Sequence, residues 1–105
     1  MELTTEQLDD STLVVFQGHY LDLSNAELFT ENVAPFLQPN GKVVFDMSQV
    51  DFVDSAGLGA LMACRRQLMT VGGDLTLRGL SKKVRNVFEV ARLHRLFVIT
   101  ESAAD

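Results

Sequence analysis

The spacing of hydrophobic and polar positions changes several times along the chain, and each change marks an element. Residues 12–16, Thr-Leu-Val-Val-Phe, form a compact apolar run of β-branched and aromatic side chains, the pattern of a buried strand. Residues 2–8 are more polar and read as an edge strand. Asp9-Asp10-Ser11 between them is a turn signal, so the two runs predict a hairpin. Ser24-Asn25-Ala26-Glu27 has the form of a capping box, and Leu28, Phe29, Val33, Phe36 and Leu37 then recur at helical spacing. Pro35 lacks an N–H and its ring crowds the preceding turn, so this helix is expected to kink or end near Ala34. Pro39-Asn40-Gly41 predicts a turn into a central strand over residues 42–47.

The second helix is predicted over residues 56–71. Leu58, Leu61, Met62, Arg65, Leu68 and Met69 share one broad face, and Arg66, Gln67 and Thr70 lie on the other. Gly72-Gly73 is expected to close it with a left-handed cap. Residues 75–78 read as a strand. Ser81 can cap a third helix that carries Val84, Val87, Phe88 and Ala91 at core spacing, and residues 96–99 read as the last strand. Residues 101–105 are expected to fray. The order β-β-α-β-α-β-α-β predicts an α/β fold. Its sheet has four to five strands, mostly parallel, with three main helices and an antiparallel N-terminal strand. No repeat or linker interrupts it, so residues 1–105 are read as one domain.

Composition narrows the function. A chain of 105 residues with 47% hydrophobic and 22% charged residues can hold a core without staples. The formal net charge of −5 argues against a nucleic-acid backbone or an anionic lipid surface as ligand. The start lacks a basic and apolar leader pattern, so no signal peptide is expected. The uncharged stretch 55–64 is too short to span a bilayer. The single cysteine, Cys64, allows no internal disulfide and fits a reducing, cytoplasmic compartment.

The candidate chemistry lies at Asp54-Ser55-Ala56-Gly57-Leu58-Gly59, where a helix should begin. Backbone N–H groups at a helix start lack internal partners, and that end carries a partial positive charge. Either Asp54 or Ser55 can cap them. Read from the residues alone, Ser55 is first of all a cap. The sharper alternative is a switch, since a phosphate there would add about −1.5 to −2 charges where an anion is tolerated. Gly57 and Gly59 each cost a helix up to about 1 kcal/mol. They permit close approach, either of a partner or of the neighbouring strand.

This run resembles the Asp-Ser-(Ser/Thr/Ala)-Gly-Leu-Gly motif of STAS-domain anti-sigma-factor antagonists. Leu21-Asp22 with Ala26, Val44-Phe45-Asp46-Met47 and Gly72-Gly73 before Leu75 are similar to further segments of that family, so the likeness covers nearly the whole chain. The loop Gly18-His19-Tyr20-Leu21-Asp22 departs from the pattern by one extra residue. The resemblance implies that the serine after the aspartate, Ser55, is phosphorylated by an anti-sigma factor that is itself a serine kinase. It implies that the unphosphorylated protein binds that kinase and that a serine phosphatase reverses the switch. The implied contact surface comprises Asp22, Ser24, Asp54, Ser55, Ala56, Gly57, Leu58 and Gly59, presented by a monomer. Asp22 and Asp54 are candidates for shaping kinase or phosphatase recognition. The alternative within the same family is an accessory subunit of a membrane transporter or a lipid-trafficking complex.

Other constellations are weaker. Strand-Ser55-helix lacks the Gly-x-Ser-x-Gly pattern of a nucleophile elbow, and neither His19 nor His94 is placed as its base. Gly57-Leu58-Gly59 lacks the Lys-(Ser/Thr) ending of a phosphate loop. The histidines and Cys64 have no metal-ligand spacing. No catalytic residue, cofactor or metal is expected, and Cys64 reads as a core residue. Lys82, Lys83, Arg85, Arg92 and Arg95 make the third helix region basic, which reads as a solvated face or a docking patch.

Overall fold

The computed structural model describes residues 2–39 and 41–101. The turn residue Asn40 and residues 102–105 of the expected frayed end lie outside them. Two strands, β1 (Leu3–Gln7) and β2 (Thr12–Phe16), form the antiparallel hairpin, with Leu3 opposite Phe16. The strand β4 (Lys42–Asp46) pairs parallel with β2, β6 (Asp74–Arg78) pairs parallel with β4, and β7 (Val98–Thr100) pairs parallel with β6. The sheet order is β1-β2-β4-β6-β7, so each crossover returns the chain to the next strand position. The expected α/β fold and its antiparallel first strand are both present.

Strand register aligns the core. Val14 lies opposite Phe45, and Phe45 opposite Leu77, and all three side chains are fully buried. Phe45 faces α1 (Ala26–Val33), whose Phe29 ring stands edge-on to Phe16 at 4.8 Å and to Phe45 at 5.8 Å. An eight-residue helix is too short to persist alone, so the burial of Phe29 and Val33 holds α1 in place. At Pro35 the helix tightens into a 3₁₀ turn, Ala34–Phe36, as the missing N–H requires.

The helix α2 (Ser55–Thr70) ends in a Schellman motif. Gly73 N–H donates to the Leu68 carbonyl at 2.8 Å and Gly72 N–H to Met69 at 3.3 Å, with Gly72 at φ 79°. The helix α3 (Lys82–Val90) begins on Ser81, whose hydroxyl accepts from Val84 N–H at 3.1 Å.

Four expectations are corrected. The capping box at Ser24 does not form: Asn25 is the N-cap residue, and its amide serves the preceding turn instead of the helix. The last strand starts at Val98, because Leu96 and Phe97 belong to the turn that leads into it. Leu58, Leu61 and Leu68 of the expected α2 face are buried, but that face also runs through Gly57, Ala60 and Cys64, while Met69 is exposed. Small residues mark the side that approaches the sheet, so weighting by bulk rotates the expected face. His94, in the turn just past α3, is half-buried, with a buried Nδ1 that has no hydrogen-bond partner among the described residues. Two short strands, β3 (Tyr20–Leu21) and β5 (Phe52–Val53), were not expected, and they form a separate parallel sheet.

Candidate functional site

The small sheet builds the site. Tyr20 pairs with Phe52 and Leu21 with Val53. Leu21 and Val53 point into the core, whereas Tyr20 and Phe52 remain about half exposed. Because the strands run parallel, the residues that leave them stay side by side. Asp22 and Leu23 emerge beside Asp54 and Ser55, so the loop after β3 and the start of α2 meet at one place.

Asp54 fastens the two. Its Oδ1 accepts from Gly57 N–H at 2.9 Å, which caps α2. Its Oδ2 accepts from Leu23 N–H at 3.1 Å, which holds the loop. The N–H of Gly57 foremost, together with that of Leu23, stabilises the carboxylate and holds its pKa below the usual range. Gly57 adds a steric requirement: a methyl group there would overlap the Leu21 carbonyl oxygen and stand 3.0 Å from Val53 Cγ1. Its bare backbone lets α2 start against β3. At Gly59 nothing lies within 4 Å of an added Cβ, so that glycine faces open space.

The loop is tightly organised. Asp22 Oδ1 accepts from the Ser24 hydroxyl at 2.5 Å and from Ser24 N–H at 2.9 Å. Asn25 accepts from Asp22 N–H at 2.9 Å and donates to the Tyr20 carbonyl at 2.9 Å. Asp22 is therefore engaged within the turn, and Leu23 is carried at its tip.

Ser55 is the first residue of α2 and is exposed. Asp54 supplies the cap, and among the described residues the Ser55 hydroxyl has no hydrogen-bond partner. Beside it a groove of about 400 Å³ runs between α2 and α3, lined by Leu58, Asn86, Val87, Val90 and Ala91. Of the remaining candidates, Ser24 is exposed, Ala56 half-buried, and Gly57 and Leu58 buried. The structure thus brings together the loop and the helix start, and it adds the α3 wall of the groove, which the sequence did not indicate. Val90, 86% exposed and outside the core-spaced positions of α3, was the available signal.

The chemistry is that of a presented hydroxyl without an activating base. His19 lies 3.6 Å from Asp51, and neither histidine bonds to Ser55. Burial pushes the Cys64 thiol up to about 12, so it stays protonated inside the core. Among the described residues no group of three or more His, Cys, Asp or Glu is placed to hold a metal ion, and no helix is long and apolar enough to cross a membrane.

A family model described as the STAS domain matches residues 2–105. The chain is 30% identical to the Bordetella bronchiseptica protein BtrV, named as an anti-sigma factor antagonist, over 97% of this chain and 88% of that protein. The crystal structure of a Thermotoga maritima protein named in the same way superposes with a TM-score of 0.82 at 25% identity, covering 97% of this chain and 88% of that one. The anti-sigma factor antagonist SpoIIAA, solved in its unphosphorylated form, shares the fold with a TM-score of 0.76 at 20% identity, over 97% and 89% of the two chains.

Proposed function

The chain belongs to the STAS domain family, and on that premise we propose that it is an anti-sigma-factor antagonist switched by phosphorylation of Ser55. The observation that carries this reading is the unspent Ser55 hydroxyl. It stands exposed at a helix start whose capping duty Asp54 already performs. A modification there leaves the cap intact and changes the surface. The apolar groove beside it offers a partner a place to seat. About two negative charges on Ser55 would make burial of that edge costly and would add to the charge of Asp54. SpoIIAA, which shares the fold, has been solved in phosphorylated as well as unphosphorylated form.

In this reading the partner is an anti-sigma factor with serine kinase activity, and a serine phosphatase resets the switch. The domain is their substrate and not itself a catalyst. Asp22, Asp54 and Gly57 shape the surface, while Ser24, Ser55, Ala56, Leu58 and Gly59 offer contacts.

Peptide mass spectrometry on the protein from its native host, with and without phosphatase treatment, tests the proposal. A phosphate on Ser55 is the expected result. Its absence under growth and stress conditions alike would remove the switch. Co-purification with a membrane transporter would favour the accessory-subunit alternative. Ser55→Asp is expected to weaken kinase binding at least tenfold, about 1.4 kcal/mol, while Ser55→Ala binds and resists phosphorylation.

A further inference from the structure

Leu23 is an aliphatic side chain held out into solvent by an ordered turn. It is 80% exposed. Its own N–H is fastened to Asp54, and the Asp22, Ser24 and Asn25 bonds fix the turn on both sides of it. A loose loop would bear an ordering cost on binding, whereas this turn has already met it. The turn also stands where the β3–β5 pairing delivers it, beside Ser55. Tyr20 and Phe52 lie at its base, 47% and 45% exposed. An apolar surface therefore flanks the serine on the loop side, as the groove flanks it on the α3 side.

Charge gives this surface a direction. Asp22, Asp51 and Asp54 lie on the loop side. Lys82, Lys83, Arg85, Arg92 and Arg95, five of the nine lysines and arginines, lie on or just after α3. Among the described residues only Arg85 of these five has an acidic partner, Glu101 at 3.8 Å. Complementary charge across an interface fixes its orientation and speeds encounter.

We propose that Leu23 is the apolar anchor that seats the domain's serine kinase partner beside Ser55. The partner's docking face has an apolar socket for Leu23 and an acidic margin toward α3. This rests on the switch proposed above and adds the residue that sets affinity.

The test is the initial rate of Ser55 phosphorylation by extract of the native host with labelled ATP, as a function of domain concentration. Leu23→Asp is expected to raise the KM at least tenfold with the limiting rate at a fixed amount of extract little changed, and Leu23→Met, which keeps an apolar reach, to stay near wild type. Circular dichroism and melting temperature of both variants should match wild type, because the side chain touches solvent and not core. A second arm uses Arg92→Glu with Arg95→Glu, which should raise the KM and flatten its salt dependence. A wild-type KM for Leu23→Asp would overturn the anchor while leaving the switch in place. An extract that never labels wild-type Ser55, from cells in which the host protein carries no phosphate either, would remove both.

Discussion

At the scale of single residues, the site divides two duties that the sequence leaves open between neighbours. Asp54 and Ser55 are both good capping residues, and either could have taken the Gly57 N–H. The carboxylate takes it because the backbone of Asp54 is extended, at φ −104° and ψ −172°, while Ser55 is already helical. The same carboxylate reaches back to Leu23, so removing it loosens two segments at once. Ser55→Ala is therefore expected to leave stability within about 0.5 kcal/mol of wild type. Asp54→Ala is expected to lower the urea midpoint clearly and to speed hydrogen exchange at the Leu23 and Gly57 amides. Urea titration with amide exchange by NMR checks both. A Ser55→Ala variant as damaged as Asp54→Ala would mean that the hydroxyl caps the helix after all.

At the scale of elements, the start of α2 depends on one glycine and tolerates the other. Gly57 passes under the Leu21 carbonyl, so a side chain there must push β3 and α2 apart. Gly57→Ala is expected to destabilise by about 2 kcal/mol or more, as overpacking does in a filled core. Gly59→Ala meets open space in a helix and is expected to stabilise by up to about 1 kcal/mol. Chemical denaturation of the two variants measures the contrast, and equal effects would contradict the packing described. The longer elements were legible in the chain because the runs at 12–16 and 42–46 and the α3 pattern carry clear periodicity. The missed strands, Tyr20–Leu21 and Phe52–Val53, are two residues each, too short for alternation to show. Their pairing is set by tertiary contact, and so was the neighbourhood of Leu23 and Ser55. The Ser24 capping box failed for a related reason: Ser24 bonds to Asp22 instead, which fixes the turn in place of the helix.

At the scale of the whole molecule, acid should act through carboxylates that the fold keeps ionised. Asp46 ends β4, where it meets Ser48 of the following turn and Arg78 at the end of β6. Burial alone would raise its pKa, but the hydroxyl and N–H of Ser48 and the guanidinium of Arg78, with Nη2 at 3.0 Å and Nε at 3.3 Å, together pull it below the usual value. Asp54 is lowered as well, by the N–H groups it caps. Both folded-state values lie below the value of about 3.9 for an unfolded aspartate. Their contribution to stability is then complete above that value and is lost as the pH falls through the lower, folded-state values. The melting temperature should change little from these two groups between pH 7 and pH 5 and drop below about pH 4. Asp46→Asn keeps the size of the side chain and removes its titration, so its melting temperature should start lower at pH 7 and decline less steeply in acid. Parallel melting curves for wild type and Asp46→Asn across this range provide the measurement. The same slope for both proteins would mean that the Asp46–Arg78 pair, though mostly shielded from water, does not couple folding to protons.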